Sequence, residues 1–214
     1  VAGGATRWIE WDRAAFPYLA RVHWFEGAPL TIQVQSRDQR TLRLLAVDEK
    51  SGRTRLLLED QDPAWINLSD DYRWLPDGSG FLWPTESGSD WRIDRYTRDG
   101  RLQGTVVPAR LGLRRVRALD WKNRRLVVTA GQGPLEQRLV EVPVDGVGAP
   151  RELPFSEGDP APWTDATFAR GADLAAVTRS SIDRPDRVEL WSNGLLLAEL
   201  PSIAEPPPRQ PPVE

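Results

Sequence analysis

The sequence predicts an all-β fold: a β-propeller of about four four-stranded blades, forming part of a larger ring. Three observations predict it. Turn signals ending in glycine recur at Ser51-Gly52, Asp99-Gly100, Asp145-Gly146 and Asn193-Gly194, with the glycines 48, 46 and 48 residues apart. A second turn series falls about 22 to 26 residues ahead of the first, at Glu26-Gly27, Pro76-Asp77-Gly78, Lys122-Asn123 and Arg170-Gly171. The chain also carries 10 tryptophans in 214 residues, six of them (Trp24, Trp74, Trp83, Trp121, Trp163 and Trp191) in or beside β-rich runs. A repeat in the forties with two hairpins per repeat marks a propeller. The reason is burial, because one four-stranded sheet leaves both faces wet and stacked blades cover them.

The elements follow in order. Residues 5–11 read as a lone strand, the last of a blade whose other strands are missing. Trp11 to Tyr18 has room for one helical turn, which Pro17 limits. The first blade spans 18–61, with strands at Leu19–Trp24, Leu30–Gln35, Leu42–Val47 and Arg53–Leu58. The second spans 65–108, with Tyr72–Leu75, Gly80–Trp83, Arg92–Tyr96 and Leu102–Val107. The third spans 113–154, with Val116–Trp121, Arg124–Thr129, Arg138–Val142 and Ala149–Leu153. The fourth spans 163–201, with Ala166–Ala169, Leu174–Thr178, Arg187–Trp191 and Leu195–Leu200. Asp-Gly and Asn-Gly supply the positive φ values of two-residue hairpins. Paired apolar positions such as Leu44 with Val47 and Leu126 with Val128 are expected to pack between blades. Residues 204–214 hold Pro206, Pro207, Pro208, Pro211 and Pro212, the composition of a stiff linker. With no Met and Val1 as the first residue, the chain is expected to be a processed or excised piece.

Composition narrows the chemistry. Lys and Arg number 28 against 31 Asp and Glu, a net charge of -3, so no surplus of cations favours nucleic acid. No apolar run is long enough to span a membrane, and no secretory leader pattern is present. The absence of Cys excludes disulfides, thiolate nucleophiles and Cys-based metal sites. A Ser-His-Asp site has only His23 to draw on, and Gly-x-Ser-x-Gly does not occur. This chain alone is therefore expected to be no enzyme, with no catalytic residue, no metal and no cofactor.

Five groups of residues carry chemistry that competes with structural roles. His23, alternating with Val22 and Trp24 on a strand, reads as a structural histidine with one hydrogen bond. Asp60 with Asp62, and Asp70 with Asp71, pair carboxylates able to share a proton or hold a cation, but they flank turns, where Asp bonds backbone N–H groups. Arg110, Arg114, Arg115, Arg117, Lys122, Arg124 and Arg125 form the densest basic stretch. With Trp121 beside it, this reads as outward-facing strand residues, some stacked on Trp. Ser180-Ser181 with Asp183 reads as a hairpin loop closed at Pro185. Trp65 and Asn67 begin a blade's first strand, the strand that lines the channel of a propeller.

Several stretches together resemble a known family. They are Tyr18–Trp24, Gln33–Gln39, Leu44–Asp48 with Ser51-Gly52, Trp65-Ile66-Asn67 with Leu75–Gly78 and Thr85-Glu86, Gln137–Gly146, and Ser180–Pro185. In this order, over roughly residues 5 to 203, the chain is similar to the N-terminal β-propeller domain of dipeptidyl peptidase IV-like serine peptidases in the prolyl oligopeptidase clan. It departs from the family at Arg92-Ile93-Asp94-Arg95-Tyr96, where the family often has Arg-His-Leu-Tyr. The resemblance implies the C-terminal half of an eight-bladed propeller that gates an exopeptidase releasing N-terminal dipeptides. It implies a C-terminal α/β-hydrolase domain as partner, reached through residues 204–214 and carrying the catalytic triad. An acidic pair gripping the peptide's free amine would lie upstream. It places Trp65 and Asn67 near the substrate channel, makes peptide the substrate and allows a homodimer. A periplasmic or exported parent follows from it too. The alternative is a stand-alone propeller serving as a protein-binding scaffold without enzymatic activity.

Overall fold

The computed structural model describes residues 3–4, 6–88, 90–156, 163–170, 173–181 and 184–201. These form sixteen strands, two short 3-10 turns at Ala109–Leu111 and Pro154–Ser156, and no α-helix among the described residues. The strands make four four-stranded antiparallel sheets. The first contains β1 (Tyr18–His23), β2 (Thr31–Gln35), β3 (Thr41–Val47) and β4 (Thr54–Gln61). The second contains β5 (Arg73–Trp74), β6 (Gly80–Ser87), β7 (Asp90–Thr97) and β8 (Leu102–Val107). The third contains β9 (Leu113–Asp120), β10 (Arg125–Ala130), β11 (Arg138–Pro143) and β12 (Arg151–Glu152). The fourth contains β13 (Trp163–Phe168), β14 (Leu174–Ser181), β15 (Arg184–Ser192) and β16 (Leu195–Leu200). Spatial order equals sequence order in every sheet, so each is a four-strand meander.

The chain divides into two compact units: Val1–Thr85 with Asp94–Gly104, and Glu86–Ile93 with Thr105–Glu214. In the first unit the β2 strand is buried at all five positions. Ile32 and Val34 point to one face and join Phe16, Leu30, Leu45 and Val47, with Ile9 and Trp11 laid over them. The other face is lined by Leu42, Leu44 and Ala46, which meet Tyr72, Trp74, Phe81 and Trp83 of the second sheet. The strand period of two thus puts Leu44 and Val47 on opposite faces, so they do not form one interblade pair as expected. Asp60 ties the same seam: its Oδ2 accepts from Trp83 Nε1 at 3.1 Å and from Thr85 Oγ1 at 2.7 Å.

In the second unit the third and fourth sheets share a core of Val127, Leu139, Leu153, Phe155, Ala166, Ala175 and Val177. Two backbone-directed bonds lock the sheets together. Thr164 N–H donates to Gln137 O at 2.8 Å, and Gln137 Nε2 donates to Thr164 O at 3.3 Å. Arg117 on β9 pairs with Asp165 on β13. Arg179 and Glu189 form a buried pair inside the fourth sheet, 3.6 Å apart.

Three local expectations are corrected. The lone strand over 5–11 does not form, because its described residues pair with no ladder. Instead Glu10 N–H donates to Gly52 O at 2.8 Å, Thr54 Oγ1 donates to Glu10 O at 2.8 Å, and Ile9 and Trp11 pack over the first sheet while Trp8 stays exposed. Only a glycine permits this approach, since a Cβ on Gly52 would stand 2.3 Å from Trp8 O. Among the described residues the two-residue hairpin with both central residues at positive φ occurs only at Asn193 and Gly194. At Gly100 and Gly146 the glycine follows a turn closed by N–H bonds to Thr97 O and Pro143 O, a three-residue loop geometry that needs one positive φ, not two. At Lys122-Asn123 the positive φ falls on Arg124, whose guanidinium lies 3.6 Å from the Trp121 ring centre. The helical turn does form, as Phe16 N–H donates to Asp12 O at 2.9 Å with Ala15 N–H bonded to Asp12 Oδ1. Gly171, Asp183 and the Pro-rich segment 204–214 lie outside the described residues.

Candidate functional site

Trp65 and Asn67 do not sit on a strand. The first strand of the second sheet shrinks to Arg73–Trp74, and both residues lie in the connection from β4 to β5. That connection is strapped to the β2–β3 turn. Asp62 N–H donates to Arg40 O at 3.0 Å, and Ile66 N–H to Gln39 O at 2.8 Å. Gln35 Nε2 donates to Ile66 O at 3.4 Å, and Arg40 Nε to Ala64 O at 3.4 Å. Asp62 Oδ1 accepts from Ala64 and Trp65 N–H groups at 2.7 and 3.0 Å, the turn role expected of it. The result holds Trp65 at 62% exposure, with Nε1 donating to Asn67 Oδ1 at 3.2 Å. A large aromatic ring kept in solvent by an ordered loop offers a flat stacking surface with a polar edge. Its chemistry is contact, not proton transfer.

The other sequence candidates resolve into structural roles. His23 stacks on Phe25 and meets the edge of Tyr72, and its Nε2 lies 3.1 Å from Gln33 Nε2. With the amide donating, the ring is neutral with its proton on Nδ1. Burial pushes its pKa below the ordinary histidine value, Arg21 and Arg73 add to this, and Asp70 opposes it. Tyr72 is fully buried, accepts from Trp74 Nε1 and pairs with Thr31 Oγ1 at 3.3 Å. Burial pushes its phenol upward, so it stays protonated. Asp70 pairs with Arg21 at 3.0 Å, while Asp71 is buried. The two carboxylates therefore occupy different environments. The basic stretch scatters. Arg114 donates to Gly133 and Glu136 carbonyls, Arg117 pairs with Asp165, and Arg124 stacks on Trp121. Ser180 and Ser181 end β14. Among the described residues no cluster of three or more His, Asp or Glu side chains is placed to hold a metal.

Sequence reading missed one feature. A cleft of about 410 Å³ opens between the third and fourth sheets in the second unit. Phe155, Phe168 and Trp191 form its aromatic floor, with Phe155 and Trp191 edge to face at 5.1 Å. Its rim carries Asp120, Asp173, and Glu141 bonded to Arg151. Residues from two sheets and several turns converge there, so no local motif announces it. The sequence marked Lys122-Asn123 only as a turn; Asp120 caps that turn, accepting from Asn123 N–H at 3.1 Å and from its Nδ2 at 2.7 Å.

Four successive meanders are what a propeller requires, and comparison with known proteins decides among propellers. The profile of the family described as dipeptidyl peptidase IV (DPP IV) N-terminal region matches residues 1–186. The chain belongs to this family. Among solved structures it is similar to dipeptidyl peptidase 4 of Porphyromonas gingivalis, with a TM-score of 0.74 and 17% identity over 86% of this chain and 26% of that one. It is also similar to a Bacteroides ovatus protein provisionally assigned as a dipeptidyl aminopeptidase IV, with a TM-score of 0.70 and 16% identity over 86% of this chain and 29% of that one. At those identities the likeness establishes the fold, a partial β-propeller. The chain spans between a quarter and a third of the length of these DPP IV-type structures.

Proposed function

We propose that this chain is the second half of the access-controlling propeller of a DPP IV-like serine exopeptidase, one that releases N-terminal dipeptides. The family match over residues 1–186 carries the reading. Two further features support it. The only histidine is engaged with Gln33 and the Phe25–Tyr72 aromatic cluster, which is a structural setting and not that of a catalytic base. The β1 strand exposes Leu19 and Val22, and β16 exposes Leu195, Leu196, Leu197 and Leu200. Apolar faces of this kind suit sheets that continue into further blades and disfavour an autonomous scaffold. In this reading a C-terminal α/β-hydrolase domain supplies Ser, Asp and His, peptide is the substrate, and the strapped loop offers Trp65 and Asn67 to it. Among the described residues no helix is long and apolar enough to cross a membrane.

The test uses the full-length gene product. It should release dipeptides from free-amine dipeptidyl anilides and not from their N-acetylated forms, while residues 1–214 alone hydrolyse neither. Equal turnover of acetylated substrates, or no turnover at all, would overturn the exopeptidase assignment. The gating role is read separately. Trp65→Ala should raise KM for a ten-residue peptide about 3- to 10-fold with kcat nearly unchanged, as expected when only ground-state contact is lost. An unchanged KM would remove Trp65 from the channel.

A further inference from the structure

We propose that the cleft between the third and fourth sheets binds a small organic cation, an amine carried on an aromatic or aliphatic body. The apolar half of such a ligand fits the floor of Phe155, Phe168 and Trp191, and the volume of about 410 Å³ lies within the range of small-molecule sites. The sign of charge is set at the rim. Among the described lining residues Arg151 is the one cation, and it is committed to Glu141 through Nε at 3.2 Å and Nη2 at 2.6 Å. That leaves the carboxylates of Asp120 and Asp173 to set the local field. Asp120 is buried to 9% exposure and takes two bonds from Asn123, yet an ionised carboxylate has about four acceptor positions, so it keeps capacity for an ammonium N–H. An ammonium above the aromatic floor also gains from the ring faces, a contribution absent for a neutral or anionic ligand. The site draws on no residue of the Trp65–Asn67 loop.

Ligand-observed saturation-transfer NMR on the full chain tests this, with three probes that share a phenethyl body: phenethylamine, phenethyl alcohol and 3-phenylpropionate. Phenethylamine should saturate at millimolar concentration, bind about fivefold tighter than the alcohol and show a still larger margin over the acid. Asp120→Asn with Asp173→Asn should abolish the preference for the amine and leave alcohol binding unchanged. Asp173→Asn alone, at an exposed rim position, should cut the preference in part without altering the melting temperature. Equal binding of amine and alcohol, tighter binding of the acid, a preference that survives the double variant, or no saturable binding would each overturn the proposal.

Discussion

The two inter-sheet seams differ in what fills them. Between the first and second sheets, Tyr72, Trp74, Phe81 and Trp83 interdigitate with Leu42, Leu44 and Ala46. Rings contact rings throughout this seam: Tyr72 meets Phe81 at 5.8 Å and Trp83 at 5.6 Å, and Phe81 stacks on Tyr96 at 5.3 Å. Between the third and fourth sheets, the inward positions of β13 and β14 are Ala166, Ala175 and Val177. There the aromatic residues stand at one end of the seam, with a cleft above them. The same four-strand repeat therefore packs solid or stays open according to side-chain volume at a few inward positions. A filled seam is rigid scaffold, and an open one is a place for a ligand.

The sharpest way to break this contrast is to empty the filled seam. Phe81→Ala removes a fully buried ring contacting Trp74, Tyr72 and Tyr96. The expected loss is about 3–5 kcal/mol, because the surrounding rings relax only partly around the void. Urea denaturation followed by tryptophan fluorescence measures it, and a loss below about 1 kcal/mol would mean the seam is not close-packed.

A matched pair of enlargements compares the seams directly. Ala46 and Ala175 are both buried, at 8% and 3% exposure, one in each seam. Ala46→Leu pushes into the packed rings and should cost about 1–3 kcal/mol. Ala175→Leu extends toward the cleft and should cost clearly less, within about 1 kcal/mol. Equal costs in the two melts would show that the cleft closes in solution. Tyr72→Phe is a smaller perturbation of the filled seam. It keeps the ring but strips the acceptor from Trp74 Nε1 and the partner from Thr31 Oγ1, so about 1–2 kcal/mol should go.

The repeat was legible in the sequence because hairpin glycines and alternating apolar residues are local. Gly52, Gly100, Gly146 and Gly194 all adopt positive φ where the spacing put turns. What local pattern could not supply was where non-repeating chain goes. Residues 6–11 have the alternation of a strand, but no free edge captures them, and Ile9 and Trp11 instead find an apolar face to cover. Trp65 looked like a strand residue, but Asp62 turns the chain and the Gln35–Arg40 region straps it down, which depends on bonds to positions 22 or more residues away. The cleft was invisible for the same reason, since its floor and rim come from different sheets.

The smallest effect expected concerns His23, which packs beside Phe25 and Tyr72 at the filled seam. Burial, with Arg21 and Arg73 nearby, lowers its pKa in the folded state below the unfolded value of about 6.5, while Asp70 works against them. The unfolded chain therefore takes up a proton first as pH falls. The stability His23 contributes is fully present above about pH 6.5 and is lost as pH drops from there through the folded-state pKa. Gln33, at 1% exposure, holds the ring in this buried position through the contact of its amide with His23 Nε2. His23→Gln should flatten this part of the profile. Urea midpoints at pH 7.5 and 5.8 would show a larger drop for the native residue than for the variant. Identical drops would place the acid sensitivity of the first unit in its carboxylates instead.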